Sequence, residues 1–173
     1  FCQMFLCYLF GHNEEALNNA VSAYRHIEIA RGQVYFSFFH FYDSLVHLGA
    51  MDNKPVAEQH AIFRRIDRNQ RVLKTWDKHA PMNYRHKILL VEAERARVTG
   101  RINAAMDYYD QAIKLAGENK YLHEEAIANE LAGRFYLFQD KPKLAAAYLK
   151  EARYLYERWG AAAKVKDLDE RYP

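Results

Sequence analysis

The chain has 173 residues, of which 50% are hydrophobic and 27% are charged, and its formal net charge is +3. Its seven glycines and four prolines are far fewer than the turns of a sheet-rich fold require, which excludes sandwiches, barrels and most α/β folds. The charge is too small to indicate nucleic-acid binding by itself, so we expect no nucleic-acid partner.

Apolar residues recur every three to four positions along almost the whole chain, which predicts amphipathic helices separated by short breaks. A first helix is expected to end near Gly11. In chain order, the further predicted helices are Asn13 to about Ala30, Gln33 to Leu48, Pro55 to about Lys78, Asn83 to Thr99, Ile102 to Gly117, Tyr121 to Gln139, and Pro142 to Trp159. A short last helix from Ala161 to Glu170 is also expected.

Local signals mark several of these helix starts. Asn13 is predicted to cap the second helix, and Asp140 is predicted to cap the eighth. Asn53 is predicted to cap the fourth helix, since Pro55 follows it at a position that suits a first helical turn. The breaks are about two to five residues long, so neighbouring helices are expected to run antiparallel.

Small and aromatic residues recur with a period of about forty residues in the second half of the chain. The first set is Ala93, Ala96, Ala105, Tyr109 and Ala112, and the second set is Gly133, Tyr136, Ala145, Leu149 and Ala152. This pattern resembles the tetratricopeptide repeat (TPR), in which small residues let the two helices of a hairpin approach closely. The Trp-x-x-Leu-Gly opening and the terminal proline of that repeat are absent, and its usual period is about 34 residues.

We therefore predict an all-α fold, a TPR-like array of antiparallel helical hairpins with about eight helices in a right-handed solenoid. Residues 1–173 are expected to form one domain. Residues 1–80 are interpreted as longer, degenerate hairpins, because Ala16, Ala20 and Ala23 alone keep the second-helix spacing there. Residues 81–173 are interpreted as clearer repeats.

Few residues could carry catalysis or hold a metal. His40, Asp43 and His47 share one helical face, but a metal site would need a further ligand and an open position, so ordinary hydrogen-bonded histidines are expected. No glycine-rich phosphate loop is present, and the few serines do not lie at a strand-to-helix turn. The sequence therefore predicts no catalytic residue, no metal and no cofactor, and we do not expect this segment to be an enzyme.

An aromatic run surrounds the predicted third helix on all sides. A helix that is apolar all round is normally buried, so we interpret it as a central helix between its neighbours. The alternative is that this helix supplies an apolar pocket, which would make the chain a small-molecule sensor. The residues of that possible pocket are Tyr35, Phe38, Phe39 and Tyr42.

Charged residues on the first helices of the later hairpins are the candidate partner-binding site. If the TPR register holds, they face the concave groove of the array. They are Lys87, Glu94 and Arg97 on one repeat, and Glu130 and Arg134 on the next. This mixed charge fits a bound peptide or neighbouring domain, and it fits a ladder of inter-helix salt bridges equally well.

A basic stripe on the predicted fourth helix has two interpretations. Arg64, Arg68 and Arg71 recur at helical spacing, with Asp67 and Asp77 nearby on the same helix. The favoured interpretation is a solvated face that these acids balance. The alternative is that the stripe docks an acidic partner or a nucleic-acid backbone, and such binding would weaken steeply with salt.

The apolar opening from Phe1 to Phe10 is half the length of a membrane span, and it lacks the basic start and the cleavage site of a signal peptide. We expect no membrane partner. We interpret the chain as a piece of a longer protein in which this helix packs against a preceding hairpin, so the fragment is predicted to self-associate through it. Cys2 and Cys7 are too far apart on a helix for a disulfide, which favours a reduced, cytoplasmic protein.

Several longer stretches together resemble one family, most densely from Trp76 to the end of the chain. They are Trp76–Lys87 (WDKHAPMNYRHK), Leu90–Arg95 (LVEAER), Ala105–Ile113 (AMDYYDQAI), His123–Ala132 (HEEAIANELA), Ala147–Leu149, Tyr156–Ala161 (YERWGA), Lys164–Leu168 (KVKDL) and Tyr172–Pro173. Before Trp76 the likeness rests on composition and on Ala30-Arg31-Gly32 leading into the aromatic helix.

These stretches resemble the helical region of large bacterial, notably cyanobacterial, multi-sensor signalling kinases. In that family a serine/threonine-kinase domain and a predicted ATPase domain precede the region, and a GAF sensor and a histidine kinase follow it. None of the family's catalytic motifs lies in this chain. The resemblance implies a non-catalytic interaction or relay segment, whose partners are the flanking domains of the same polypeptide or another signalling protein.

Overall fold

The computed structural model describes residues 1–30, 33–52 and 54–173, and these residues form helices and no strand. The expectation of an all-α chain is confirmed for this part. The α-helices are α1 (Cys2–Leu9), α2 (Asn13–Tyr24), α3 (Val34–Gly49), α4 (Val56–Asp77), α5 (Pro81–Val98), α6 (Ile102–Glu118), α7 (Leu122–Phe138), α8 (Pro142–Trp159) and α9 (Ala162–Arg171). The predicted cap at Asn53 and the approach to α3 through Arg31 and Gly32 lie outside the described residues.

Most helix ends lie within two residues of their predicted positions, and α8 has the predicted bounds. The second helix differs, because α2 ends at Tyr24 and Ile27–Ala30 forms a 3₁₀-helix. The backbone N–H groups of His26 and Ile29 bond to carbonyls three residues earlier, and this tighter winding redirects the chain and buries Ile27. The start of α5 lies at Pro81, where the missing N–H of proline has no cost.

The predicted caps at Asn13 and Asp140 are wrong. His12 occupies the N-cap position of α2, so Asn13 is the first helical residue. Lys141 occupies the N-cap position of α8 without a side-chain hydrogen bond, and Asp140 adopts a left-handed conformation with φ of 55°. Each short connection between α5 and α8 contains one residue in the left-handed conformation. This residue reverses the direction of the chain, and no side chain caps the helix that follows.

The helices are arranged as hairpins, and α3, α5 and α7 form an inner layer. α1 packs on α2, α3 on α4, α5 on α6, and α7 on α8. The inner helices also contact one another, since α3 packs on α5 and α5 on α7. α5 and α7 therefore bury residues on several faces, whereas the outer helices α6 and α8 bury one stripe.

Small residues lie at the interfaces within the later hairpins. All ten residues of the repeating pattern, from Ala93 to Ala152, are buried. Gly133 shows why size matters, because a Cβ atom there would lie 2.7 Å from the Cγ atom of Leu149 and 3.3 Å from the carbonyl oxygen of Ala145. The backbones of α7 and α8 therefore approach closely only because residue 133 has no side chain.

The aromatic helix α3 lies in the interior, which confirms the interpretation of a central helix for most of its length. Phe36, Phe39, Phe41 and Tyr42 are buried, while Tyr35 at its start is 58% exposed.

The first helix closes over the inner layer and reaches the last helix. The ring of Tyr42 in α3 contacts the rings of Phe1, Phe5 and Tyr8, with centroid distances of 6.1, 4.7 and 6.4 Å. At the other side of α1, Arg171 donates a hydrogen bond to the carbonyl oxygen of Phe10. α1 therefore packs on helices of this chain itself. Among the described helices, none combines the length and the hydropathy that crossing a bilayer requires.

Candidate functional site

The five predicted partner-binding residues lie on the inner layer, but they differ in exposure. Lys87, Glu94 and Glu130 are buried, Arg97 is half-buried, and Arg134 is exposed. Glu130 and Arg134 lie beside α1, whose Tyr8 and Leu9 share the lining of a small space with them.

A buried ion pair joins α5 to α7. The ammonium nitrogen of Lys87 lies 2.8 Å from Oε2 of Glu124, and both side chains are 1% exposed. Nε2 of His86 hydrogen-bonds to the same carboxylate oxygen. The ring of Tyr121 covers the ammonium at 4.3 Å, and the Asn83 carbonyl oxygen accepts a further hydrogen bond from it at 2.7 Å. The ammonium thus has its partners within the chain. Oε1 of Glu124 lies 3.4 Å from Nε2 of His123, and among the described residues neither this oxygen nor Nδ1 of His86 has a well-formed hydrogen bond.

Burial and charge act in opposite directions on this pair. Burial lowers the pKa of Lys87, although the Glu124 carboxylate acts to raise it. Burial acts to raise the pKa of Glu124, but hydrogen bonds from His123 and His86 and the charge of Lys87 outweigh it, so its pKa is lowered. The carboxylate of Glu124 is therefore held in its charged form by neighbours that the fold supplies.

Glu94 in α5 is held by hydrogen bonds from its own hairpin. Nε and Nη2 of Arg97 donate to Oε2 of Glu94 at 3.0 and 2.8 Å, and the hydroxyl of Tyr109 donates to Oε1. Burial acts to lower the pKa of Arg97, and the Glu94 carboxylate outweighs it, so the pKa is raised. Both oxygens of Glu94 are therefore occupied by donors from α5 and α6.

Glu130 in α7 joins this helix to α8 and α9. Oε2 of Glu130 accepts a hydrogen bond from the hydroxyl of Tyr156 at 2.7 Å, and Oε1 accepts one from the ammonium of Lys164 at 2.9 Å. Lys164 is 1% exposed and also donates to Asp167 at 2.9 Å. Its ammonium lies 5.8 Å from the ring centroid of Phe10, which follows α1.

The contacts around Glu124, Glu94 and Glu130 follow one another along α5, α7 and α9, and together they are called the ladder. Lys87 and Glu130 form inter-helix ion pairs with Glu124 and Lys164, whereas Glu94 pairs with Arg97 of its own helix and reaches α6 through the hydroxyl of Tyr109. The sequence did not point to the residues that complete the ladder as site residues, and these are His86, Tyr109, Glu124, Tyr156 and Lys164.

Beside the ladder lies an open cleft of about 450 Å³, to which α1, the end of α3, α5 and α7 contribute residues. Arg134 lines it, and within the described residues no carboxylate lies within 4.0 Å of its guanidinium. Phe138, one turn further along α7, lines the same cleft and is 84% exposed. Tyr8 and Arg97 also line it, as do the acidic residues Asp52 and Glu94. This cleft offers a cation and an aromatic ring to a partner.

The residues of the possible apolar pocket are divided among three neighbours. Tyr35 and Tyr42 both contact the ring of Phe1. Phe39 contacts the ring of Tyr24 in α2, and Phe38 lies 5.2 Å from the ammonium of Lys87 in α5. These contacts give the four side chains different packing partners.

The histidines of α3 are hydrogen-bonded, as the sequence predicts. Nδ1 of His40 lies 2.8 Å from Oδ1 of Asn69, and Nδ1 of His47 donates to the carbonyl oxygen of Asp43 at 2.8 Å. The carboxylate of Asp43 takes two hydrogen bonds of 2.7 Å from Arg65. In the part of the chain that the structure describes, no group of three or more His, Cys, Asp or Glu residues is placed to hold a metal ion.

Comparison with known proteins adds a likeness over one third of the chain. A segment of 59 residues is 42% identical to the hybrid signal transduction histidine kinase G of Dictyostelium discoideum, and it covers 34% of this chain. The chain thus matches about 2% of the length of that curated relative. No family model matches the chain. No solved structure matches it either. The likeness agrees with the signalling-kinase context that the sequence resemblance implies.

Proposed function

We propose that this chain is a non-catalytic interaction and relay segment of a multi-domain sensor kinase. The likeness to a hybrid signal transduction histidine kinase carries the proposal, because it relates this sequence to part of a much longer signalling protein. The kinase chemistry would belong to other domains of the full polypeptide. This chain would supply a surface and a mechanical connection.

The proposed architecture is a TPR-like, right-handed array of hairpins. Two observations support it, namely the contacts between successive odd-numbered helices and the buried small residues within the α5/α6 and α7/α8 hairpins. In such an array each hairpin contacts mainly its neighbours, so a displacement at one end changes the curvature along the stack.

The proposed docking site is the cleft beside α7, with Arg134 and Phe138 as the contact residues. An exposed arginine without an ion pair and a strongly exposed aromatic ring are residue types that carry binding energy at protein interfaces. A flanking domain of the same polypeptide that supplies a carboxylate and an apolar side chain would satisfy both. Lys87, Glu94 and Glu130 then position the helices and make no direct contact with the partner.

The ladder suggests how docking would be relayed. A partner that contacts Arg134 in α7 acts on the helix that Glu124 ties to α5 and Glu130 ties to α9. Since buried ion pairs resist separation, the helices move together instead of sliding past one another. The signal would therefore travel as a shift of the inner layer.

The test is binding of the purified chain to the flanking domains, each expressed separately, by biolayer interferometry. We expect at least one domain to bind, and the double variant Arg134→Ala/Phe138→Ala to weaken that binding by about tenfold or more. The matched control is Lys143→Ala/Leu144→Ala, which removes an exposed cation and an exposed apolar residue from α8. If no flanking domain binds, or if both double variants weaken binding equally, the proposal is wrong.

A further inference from the structure

The outward face of α4 carries a line of basic side chains, called the α4 stripe. Its members are Arg64, Arg68, Arg71, Lys74 and Lys78, and all five are exposed. With 3.6 residues per turn they lie within an arc of about 120° and extend over about 21 Å of helix axis. The opposite face of α4 packs on α3 and α5, so the stripe is directed away from the inner layer.

The stripe is exposed to solvent, as the favoured interpretation from the sequence expects, but Asp67 and Asp77 form their ion pairs with arginines outside the stripe. Asp67 pairs with Arg95 of α5, with 2.8 Å between the oxygen and the nitrogen. Asp77 accepts hydrogen bonds from Nε and Nη2 of Arg85, at 2.9 and 2.5 Å. Glu58 pairs with Lys54 at 3.3 Å. Among the residues whose side chains the structure describes, no carboxylate lies within 4.0 Å of a stripe cation.

The spacing of the stripe brings like charges close together on one face of the helix. Like charges three and four residues apart on a helix repel one another, and here the carboxylates that could offset them are bound to other cations. A partner with complementary charge would relieve the repulsion and gain orientation from the regular spacing.

We infer that the α4 stripe docks an acidic helical segment of a protein, with carboxylates at three- and four-residue spacing. The three- and four-residue spacing of the stripe favours a helical partner. Two helices that lie side by side have the same rise per residue, so their charges can match along the whole stripe. Exposed Ala57, His60 and Ala61 extend the face beyond Arg64, and the two small alanines among them leave room for a second helix.

Two other polyanions fit less well. The net charge of the chain is +3, so the residues outside the five-residue stripe carry a net charge of −2, which disfavours a long nucleic acid. The aromatic residues nearby, Phe63 and Trp76, are half-buried against Arg95 and Tyr84 and offer no free ring for bases. An anionic membrane would require exposed apolar side chains along the stripe, and the exposed large apolar residue of α4 is Val56, two turns before Arg64.

The probe is a synthetic helical peptide of about 20 residues with glutamates at three- and four-residue spacing, and its partner probe has glutamine at those positions. Affinity for the purified chain is measured by fluorescence anisotropy at low and at high salt. We expect the glutamate peptide to bind, the glutamine peptide to bind at least about tenfold more weakly, and salt to weaken the binding.

The decisive variant is Arg68→Glu/Arg71→Glu, and the matched control is Lys143→Glu/Lys150→Glu, which makes the same charge change at exposed positions of α8. The stripe variant should lose affinity by about tenfold or more, and the control should stay within about twofold of the wild type. Equal losses in both variants would overturn the inference. Tighter binding of a single-stranded oligonucleotide, or of phosphatidylserine vesicles, would overturn it too. The stripe shares no residue with the Arg134 cleft, so this result is independent of the proposed function.

Discussion

Gly133 in α7 stands where any side chain would collide with α8. Replacing it with alanine places a Cβ atom 2.7 Å from Cγ of Leu149, which is a branch point and cannot turn away. We expect Gly133→Ala to lower the free energy of unfolding by about 1–3 kcal/mol, measured by urea denaturation.

Gly117 in α6 is the matched control for that substitution. An alanine there would meet the carboxylate end of Glu125 at 2.9 Å, which is the tip of a flexible side chain and can move. Because alanine also favours helix over glycine, Gly117→Ala should leave stability unchanged or raise it by up to about 1 kcal/mol. If both variants lose stability equally, close backbone approach is not the reason for glycine at position 133.

The sequence predicts Gly133 well and the buried charges poorly. Gly133 occupies a fixed position in the forty-residue pattern, and its role depends on a single contact with the neighbouring helix α8. Lys87 and Glu124 are 37 positions apart, and the chain between them gives no sign that they meet. Their pairing depends on how two hairpins stack, which local patterns do not encode. For the same reason the sequence assigned Lys87 to an open groove, whereas the structure buries it.

Between elements, the Lys87–Glu124 pair is the clearest test of the ladder. Glu124→Gln leaves the Lys87 ammonium buried without its counter-charge, so we expect a loss of about 3–5 kcal/mol in stability. Lys87→Met should cost a similar amount. The double variant Lys87→Met/Glu124→Gln should cost less than the two single changes added together, because it leaves neither charge unpaired. Urea denaturation of the four proteins completes this double-mutant cycle.

An exposed ion pair is the control that distinguishes the loss of a buried pair from the loss of charge in general. Lys114 and Glu118 form an ion pair of 3.9 Å on the surface of α6, with side chains 73% and 55% exposed. The same cycle there should give a coupling of about 0.5 kcal/mol or less. Additive losses at Lys87 and Glu124 would mean that the two side chains do not hold α5 and α7 together.

Helix positions were largely predictable from the sequence, and helix ends less so. The bounds of α8 follow from Pro142 and from Gly160, which is left-handed after the last turn. By contrast, α2 ends at Tyr24 without a proline or glycine nearby. There the 3₁₀-helix lets Ile27 become buried. This burial depends on tertiary packing, which the helix propensity of the residues does not predict.

At the scale of the whole molecule, self-association through α1 stays a prediction. α1 packs inward through Met4 and Leu9, but Leu6 is 51% exposed beside Phe5, Phe10 and Trp159. A second copy covering this surface would bury apolar area. We expect light scattering to show an apparent mass that rises with concentration, and Leu6→Lys to abolish the rise.

Leu144→Lys is the control, since Leu144 in α8 is 46% exposed and lies outside that surface. It should associate as the wild type does. A wild type that stays monomeric at high concentration, or a loss of association in Leu144→Lys alone, would contradict the prediction.

The hydrogen bond from Arg171 to Phe10 has a mechanical consequence. Because Phe10 and Arg171 join the ends of α1 and α9, lifting α1 away from the inner layer requires this contact to break. Tyr8 of α1 lines the cleft that holds Arg134, so release of α1 would remove one wall of the proposed docking site.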